Sequence, residues 1–148
     1  QRILRRKIRV KIVQINVTCG VGSTGKICVD ISRELTARGT ENYILYSAIG
    51  NGFPAGISCS DKAYIKLQAL KSRVFGNYGF NSSAETRKMI AEMERIKPDI
   101  VHLHNLHGHD CNLEQLFSYF RRKKIKLVWT FHDCWAFTGH GAYFDFAG

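Results

Sequence analysis

Three things are scarce in this chain of 148 residues: proline, acidic side chains and long apolar runs. Only two prolines interrupt it, and 45% of it is hydrophobic, so neither a disordered tail nor a proline-rich linker is expected. The composition predicts one globular domain with enough apolar material for a core. No apolar stretch approaches the roughly 20 residues a spanning helix needs, and no signal peptide is visible in a sequence that opens on Gln1. The five cysteines, Cys19, Cys28, Cys59, Cys111 and Cys134, are odd in number and lack CxxC spacing. That pattern excludes a disulfide framework and fits a reduced, cytoplasmic compartment.

Against 12 acidic residues stand 22 lysines and arginines, a net charge of +10. Six of the bases lie in the first eleven positions, and Arg121, Arg122, Lys123, Lys124 and Lys126 form a second cluster. Such clusters attract anionic lipid or nucleic acid, or are simply a solvated surface. Nothing resembles a helix-turn-helix, an RNA-recognition sheet or a zinc finger, so nucleic acid is not an expected partner. An anionic membrane surface, met from the cytoplasmic side, is.

The stretch from Val10 to Gly39 organises the rest: the apolar run VKIVQIN, the loop CGVGSTGK and the segment ICVDISRELTARG. A buried strand passing through a glycine turn into a helix gathers free N–H groups and the positive end of a helix dipole, which suits an anion. Gly22, Ser23, Thr24, Gly25 and Lys26 are therefore the expected phosphate-binding residues. Ile27, Ile31 and Leu35 recur every four residues and predict the buried face of that helix, with Ser23 or Thr24 capping its start and Gly39 ending it.

Three readings of the loop compete. Gly20, Gly22 and Gly25 fit GxGxxG, but a dinucleotide site needs an acid at the exit of the next strand, where Tyr46 and Ser47 stand; Glu41 sits at its entrance. The same residues fit GxxxxGK, yet Ile27 occupies the position of the hydroxyl that holds Mg²⁺, although Asp133 follows an apolar strand as a metal-holding acid would. Alternatively, the glycines only let the helix approach its strand closely.

Beyond NYILYS, the stretch AIGNGFPAGISCSDKA reads as a loop at the sheet end that carries the glycine turn. Helices are expected over Ala63 to Phe75, Ser83 to Ile96 and Leu113 to Lys123, with Met89, Ile90, Met93 and Ile96 on one face of the second. Met89 and Met93 read as core filler. DIVHLH and KLVWTF read as buried strands. Strands separated by helices predict an α/β fold, an open parallel sheet with helices on both faces.

In such a sheet ligands collect beyond the carboxyl ends of the strands, which places His104, Asn105, His132 and Asp133 at a site facing the glycine loop. His102, one pleat deeper, reads as a hydrogen-bonded core histidine. His102, His104, His107, His109 and Asp110 also resemble the HxHxDH pattern of zinc hydrolases, but Leu106 stands where the acid belongs, and no metal is assigned. Trp135, Phe137, Tyr143 and Phe144 either stack on a sugar ring or fill the core.

Taken together, QINVTCGVGSTGKI, PDIVHLHNLHGHDCNLEQLF and VWTFHDCWAFTGHGAYF are similar to the N-terminal half of family-four glycosyltransferases, in the branch that builds bacterial surface polysaccharides. The resemblance implies a Rossmann-like domain of a GT-B enzyme that moves a sugar, with retention and no essential metal, from a nucleotide-sugar donor to a saccharide or lipid-linked acceptor. It implies that residues 1–148 form the acceptor-side domain and that a nucleotide-sugar-binding domain is missing. By the same resemblance, His132 contacts the donor sugar, and Gly22 to Lys26 lie near the donor diphosphate and acceptor; Asp133, next to His132, is expected to orient His132 or the acceptor. His104, Asn105, His107, Trp135 and His140 are the expected acceptor-binding residues. The chain departs from the branch at Gly141, where relatives carry cysteine, and at Tyr78 before Gly79, where they carry histidine. The competing expectation is a self-contained α/β module that binds anions or membranes without catalysis.

Overall fold

Strand β1 (Lys11–Asn16) is central, and its two faces meet opposite kinds of chemistry. The computed structural model describes residues 10–59, 83–106 and 111–138, apart from the side chains of Trp135 and Phe137. After β1 come α1 (Gly22–Ala37), β2 (Glu41–Tyr46), β3 (Gly56–Ser58), α2 (Ser83–Ile96), β4 (Ile100–Leu103), α3 (Leu113–Lys123), β5 (Lys126–Trp129) and the short α4 (Trp135–Thr138). The sheet order is β3-β2-β1-β4-β5, and every neighbouring pair is parallel. This is the Rossmann-like sheet expected, with β1 and β4 flanking the point where the strand order reverses.

Side chains alternate across β1. Val13 and Ile15 join Leu45, Val101 and Leu103 in the main core, under Met89, Met93 and Ile96 of α2 and Leu116 and Phe120 of α3. The methionines are thus core residues. On the other face, Gln14 meets the backbone of α1 through Cys28, and Cys28 and Val29 pack with Ile44. Helices cover both faces. A Lys123–Glu94 ion pair of 2.7 Å and a 2.7 Å bond from the Asn112 N–H to Thr86 Oγ1 tie α3 to α2. Asn112 also caps α3 by accepting from the Gln115 N–H at 3.0 Å.

The structure corrects three expectations. The buried face of α1 is Gly25, Cys28, Val29 and Ser32, while Ile27 is 41% exposed and Ile31 and Leu35 are only partly covered. The reason is steric: a Cβ on Gly25 would lie 2.6 Å from Thr18 Oγ1, so this glycine lets the helix start sit directly on the preceding loop, and small residues follow it inward. Neither Ser23 nor Thr24 caps α1; its N-cap is Val21, in extended backbone without a side-chain cap, and Thr18 Oγ1 donates to the Val21 carbonyl at 2.8 Å. The region after β2 is not all loop, since Gly56–Ser58 adds β3 as an edge strand. Three residues are too few for a period to show.

Gly39 ends α1 as expected, with φ +73°. The predicted helix over Ala63 to Phe75 lies outside the described residues, as do His107, His109, Asp110, His140, Gly141, Tyr143 and Phe144 and the departure at Tyr78. Among the described residues, no helix is long and apolar enough to cross a membrane.

The revised helix face can be checked directly. Met93 is fully buried, so Met93→Ala is expected to lower stability by about 2–5 kcal/mol in urea unfolding, whereas Ile27→Ala should stay within about 0.5 kcal/mol. Comparable losses from both would restore Ile27 to the core.

Candidate functional site at the carboxyl edge of the sheet

All five strands run the same way, so the segments that leave β1, β2, β4 and β5 gather at one edge. The glycine loop is anchored there by backbone pairing: the Cys19 N–H reaches the Ile49 carbonyl at 2.9 Å, and the Asn51 N–H reaches the Cys19 carbonyl at 3.0 Å. Gly20 (φ +71°) and Gly22 (φ +69°) take left-handed conformations that reverse the chain. A Cβ on Gly22 would meet nothing within 4 Å, so the turn is open to solvent on that side.

Gly22, Ser23 and Lys26 are exposed, and Thr24 is half-buried. With no capping side chain and no acid in the first turn, the leading N–H groups of α1 keep their donor capacity. Gly25 is buried, and its carbonyl accepts from the Gly20 N–H at 3.0 Å, so its part is to build the loop.

Asn16, at the end of β1, joins this loop to the next. Its Nδ2 donates to the Thr18 carbonyl at 2.9 Å and lies 3.4 Å from Thr24 Oγ1, while its Oδ1 accepts from the Asn105 N–H at 3.2 Å. Asn105 is half-buried beside it. Residues 24 and 105 thus share one buried amide.

A second set of bonds joins β1, β4 and β5. Gln14, fully buried, donates from Nε2 to the Cys28 carbonyl at 3.1 Å, and its Oε1 lies 3.1 Å from His104 Nε2. His104 Nδ1 lies 2.9 Å from His132 Nε2, with the two rings stacked 5.2 Å apart. The His104 backbone is held as well, its N–H on the Ile15 carbonyl at 2.9 Å and its carbonyl accepting from the Trp129 indole at 3.0 Å. Gly22–Lys26 and His132 therefore belong to the same edge, where one polar chain from β1 links Thr24 with Asn105 and a second links Cys28, through Gln14 and His104, with His132.

His104 is 1% exposed, so it underlies the site and presents no surface to a ligand. His132 and Asp133 are half-buried above it, where α4 begins at Trp135. His102 is hydrogen-bonded as expected, 2.8 Å from Thr130 Oγ1 and with its ring 4.1 Å from that of His104, but it is half-buried and not a core residue. Glu41 lies at the opposite edge, 3.5 Å from Lys11 Nζ, away from any ligand at the glycine loop. Among the described residues no three metal-ligating side chains converge.

Gln14 and Asn16 were not foreseen, although two amides inside an otherwise apolar strand were visible in VKIVQIN. A buried amide must find partners, so each marks a place where something polar lies opposite.

Burial above all, and then the neighbouring His102 and His132 rings, push the His104 imidazole down to about 3 from 6.5. Between those values the unfolded chain takes up a proton that the folded chain refuses, so stability falls as pH drops through this window, by up to about 1.4 kcal/mol per unit. His104→Asn should lower overall stability but make that fall shallower in urea titrations from pH 7 to 4. An unchanged slope would mean that His104 is protonated in the folded chain.

Comparisons with known proteins give the family of the chain. Residues 24–147 match the model of Glycosyltransferase Family 4. The chain is 24% identical, over 149 aligned positions, to the putative colanic acid biosynthesis glycosyl transferase WcaC of Escherichia coli K12, an alignment covering 92% of this chain and 36% of that protein. It thus spans little more than a third of that relative's length. No solved structure matches it. Since the family match takes in well over half of the chain, from Thr24 in the glycine loop through His104 and His132, the chain belongs to Glycosyltransferase Family 4.

Proposed function

We propose that this chain is the acceptor-side domain of a retaining glycosyltransferase that moves a sugar from a nucleotide-sugar donor to a saccharide or lipid-linked acceptor in surface polysaccharide synthesis. Membership of the family supports transfer, and the name of the E. coli relative supports polysaccharide synthesis. The single observation that carries the reading is the joining of the uncapped α1 N-terminus and His132 at the carboxyl edge of one sheet. On this reading a second domain holds most of the donor nucleotide, and the reaction needs no essential metal.

Physical chemistry then divides the work. As the bond to the anomeric carbon breaks, the departing diphosphate gains negative charge, and the fixed N–H groups of Gly22, Ser23 and Thr24 can stabilise it without a cation. Lys26 adds a positive charge one turn along. His132 contacts a hydroxyl of the donor sugar, and Asp133 orients His132 or the acceptor. Acceptor binding falls on this reading to Asn105, His107, Trp135 and His140.

In the full-length enzyme supplied with its nucleotide-sugar, His132→Ala should lower transfer by about a hundredfold or more. Transfer at the wild-type rate would remove that residue from the reaction.

The basic cluster Arg121–Lys124 with Lys126 closes α3 and opens β5, so it lies at the amino edge of the sheet, the edge at which Lys11 opens β1, opposite the site. We propose that this edge meets the anionic inner face of the cytoplasmic membrane, leaving the carboxyl edge open to substrates. Each base is worth about 1 kcal/mol near such a surface. The variant Arg121→Glu, Arg122→Glu, Lys124→Glu should lose sedimentation with vesicles containing phosphatidylglycerol; equal binding to neutral vesicles would dismiss the proposal.

A further inference from the structure

We infer that Gln14 and His104 are positioning residues that fix the tautomer of His132, so that its neutral ring carries the proton on Nε2 and offers Nδ1 as a hydrogen-bond acceptor to the substrate. The inference deepens the function proposed above and rests on it for the identity of the substrate.

The polarity of the chain follows from its first member. A backbone carbonyl only accepts, so the Gln14 atom 3.1 Å from the Cys28 oxygen is the amide nitrogen. The amide oxygen then faces His104 Nε2, also at 3.1 Å, and because it too only accepts, Nε2 must carry the proton. A buried neutral imidazole has one N–H, which leaves His104 Nδ1 as a lone pair. His132 Nε2 lies 2.9 Å from that lone pair and must supply the proton between them. With Nε2–H committed inward, Nδ1 of the neutral ring can accept but not donate.

That assignment selects among ligand groups. A phosphate oxygen offers acceptors only and gains nothing from a neutral Nδ1, whereas a sugar hydroxyl donates to it. An acceptor nitrogen therefore suits His132 to a hydroxyl, such as a sugar carries, and leaves the diphosphate to the N–H groups of α1. The opposite tautomer, with a proton on Nδ1, would serve a phosphate oxygen and a hydroxyl alike and so would lose that discrimination. Burying Gln14 and His104 in full is what prevents water from substituting for either and releasing the ring.

The test reads the ring directly. In protein labelled with ¹⁵N-histidine, long-range ¹H–¹⁵N correlations at a pH where His132 is neutral should show it as the Nε2–H tautomer. The Nδ1–H form would overturn the inference without needing any variant. His104→Asn keeps an acceptor oxygen near the place of Nδ1 and should retain the Nε2–H form. His104→Leu removes it and should release His132 to a mixture; a ring still fixed as Nε2–H in the leucine variant would deny His104 its role. In the full-length enzyme, His104→Leu should lower kcat/KM by about tenfold, the kinetic weight of one hydrogen bond, and should cost nothing further in a His132→Ala background. An additional loss in that background would assign His104 to stability alone. A fixed Nε2–H ring in a full-length protein that transfers no sugar would leave the tautomer standing and refute the transferase reading instead.

Discussion

Everything at the carboxyl edge depends on one costly arrangement: a central parallel strand that buries amides on one of its faces. Gln14 and Asn16 lie inside the molecule, where an unpaired polar group costs about 1–3 kcal/mol. Both are satisfied, and their partners are what hold α1, β4 and β5 in register at the site. Val13 and Ile15, on the opposite face, make an ordinary apolar core under α2 and α3. The fold thus separates its tasks by pleat: one face is held by non-directional burial, and the other by bonds that only one geometry fulfils.

The same separation appears between the two edges of the sheet. Parallel strands send every β-to-α connection to the carboxyl edge, where the glycine turn and the open start of α1 favour negative charge in a ligand. The amino edge gathers Lys11, Lys124 and Lys126 and the basic last turn of α3. Among the described residues, a cluster of basic side chains thus lies at the edge away from the site, while at the site oriented N–H groups act together with Lys26. Oriented donors act at short range and select for shape; a lysine cluster draws in any anion.

What could be read in the sequence followed the strength of each local signal. Gly39 as the stop of α1, the span Ser83–Ile96 and the span Leu113–Lys123 were all legible, because a permissive conformation or a repeating apolar spacing marks each. The face of α1 was misread for a reason that a period alone does not contain. Its seat is set by Gly25 against Thr18 of the preceding loop, so small residues lie inward and Ile27 outward, against the rule that the largest apolar side chains are buried. Strand β3 left no period at all. At the site, His132 was legible from its place after an apolar strand, and His104 was placed correctly along the chain but at the wrong depth, since strand position does not show what covers a side chain. Gln14 was legible only as a contradiction, an amide in a run that should have been apolar.

That contradiction has a direction, which an apolar residue could not supply. A hydrogen-bonded chain from a carbonyl through an amide and one imidazole to a second imidazole has a sense, and it is set at the end farthest from solvent. Reversing it would bring the Gln14 oxygen against the Cys28 oxygen, two acceptors with no proton between them in a place water does not reach. On this inference the protonation pattern of the half-buried His132 is written into the interior, and a ligand meeting that edge would find an acceptor nitrogen on the same sheet edge as the N–H donors of α1. A sugar joined to a diphosphate presents the complementary pair: hydroxyls that donate, next to oxygens that only accept.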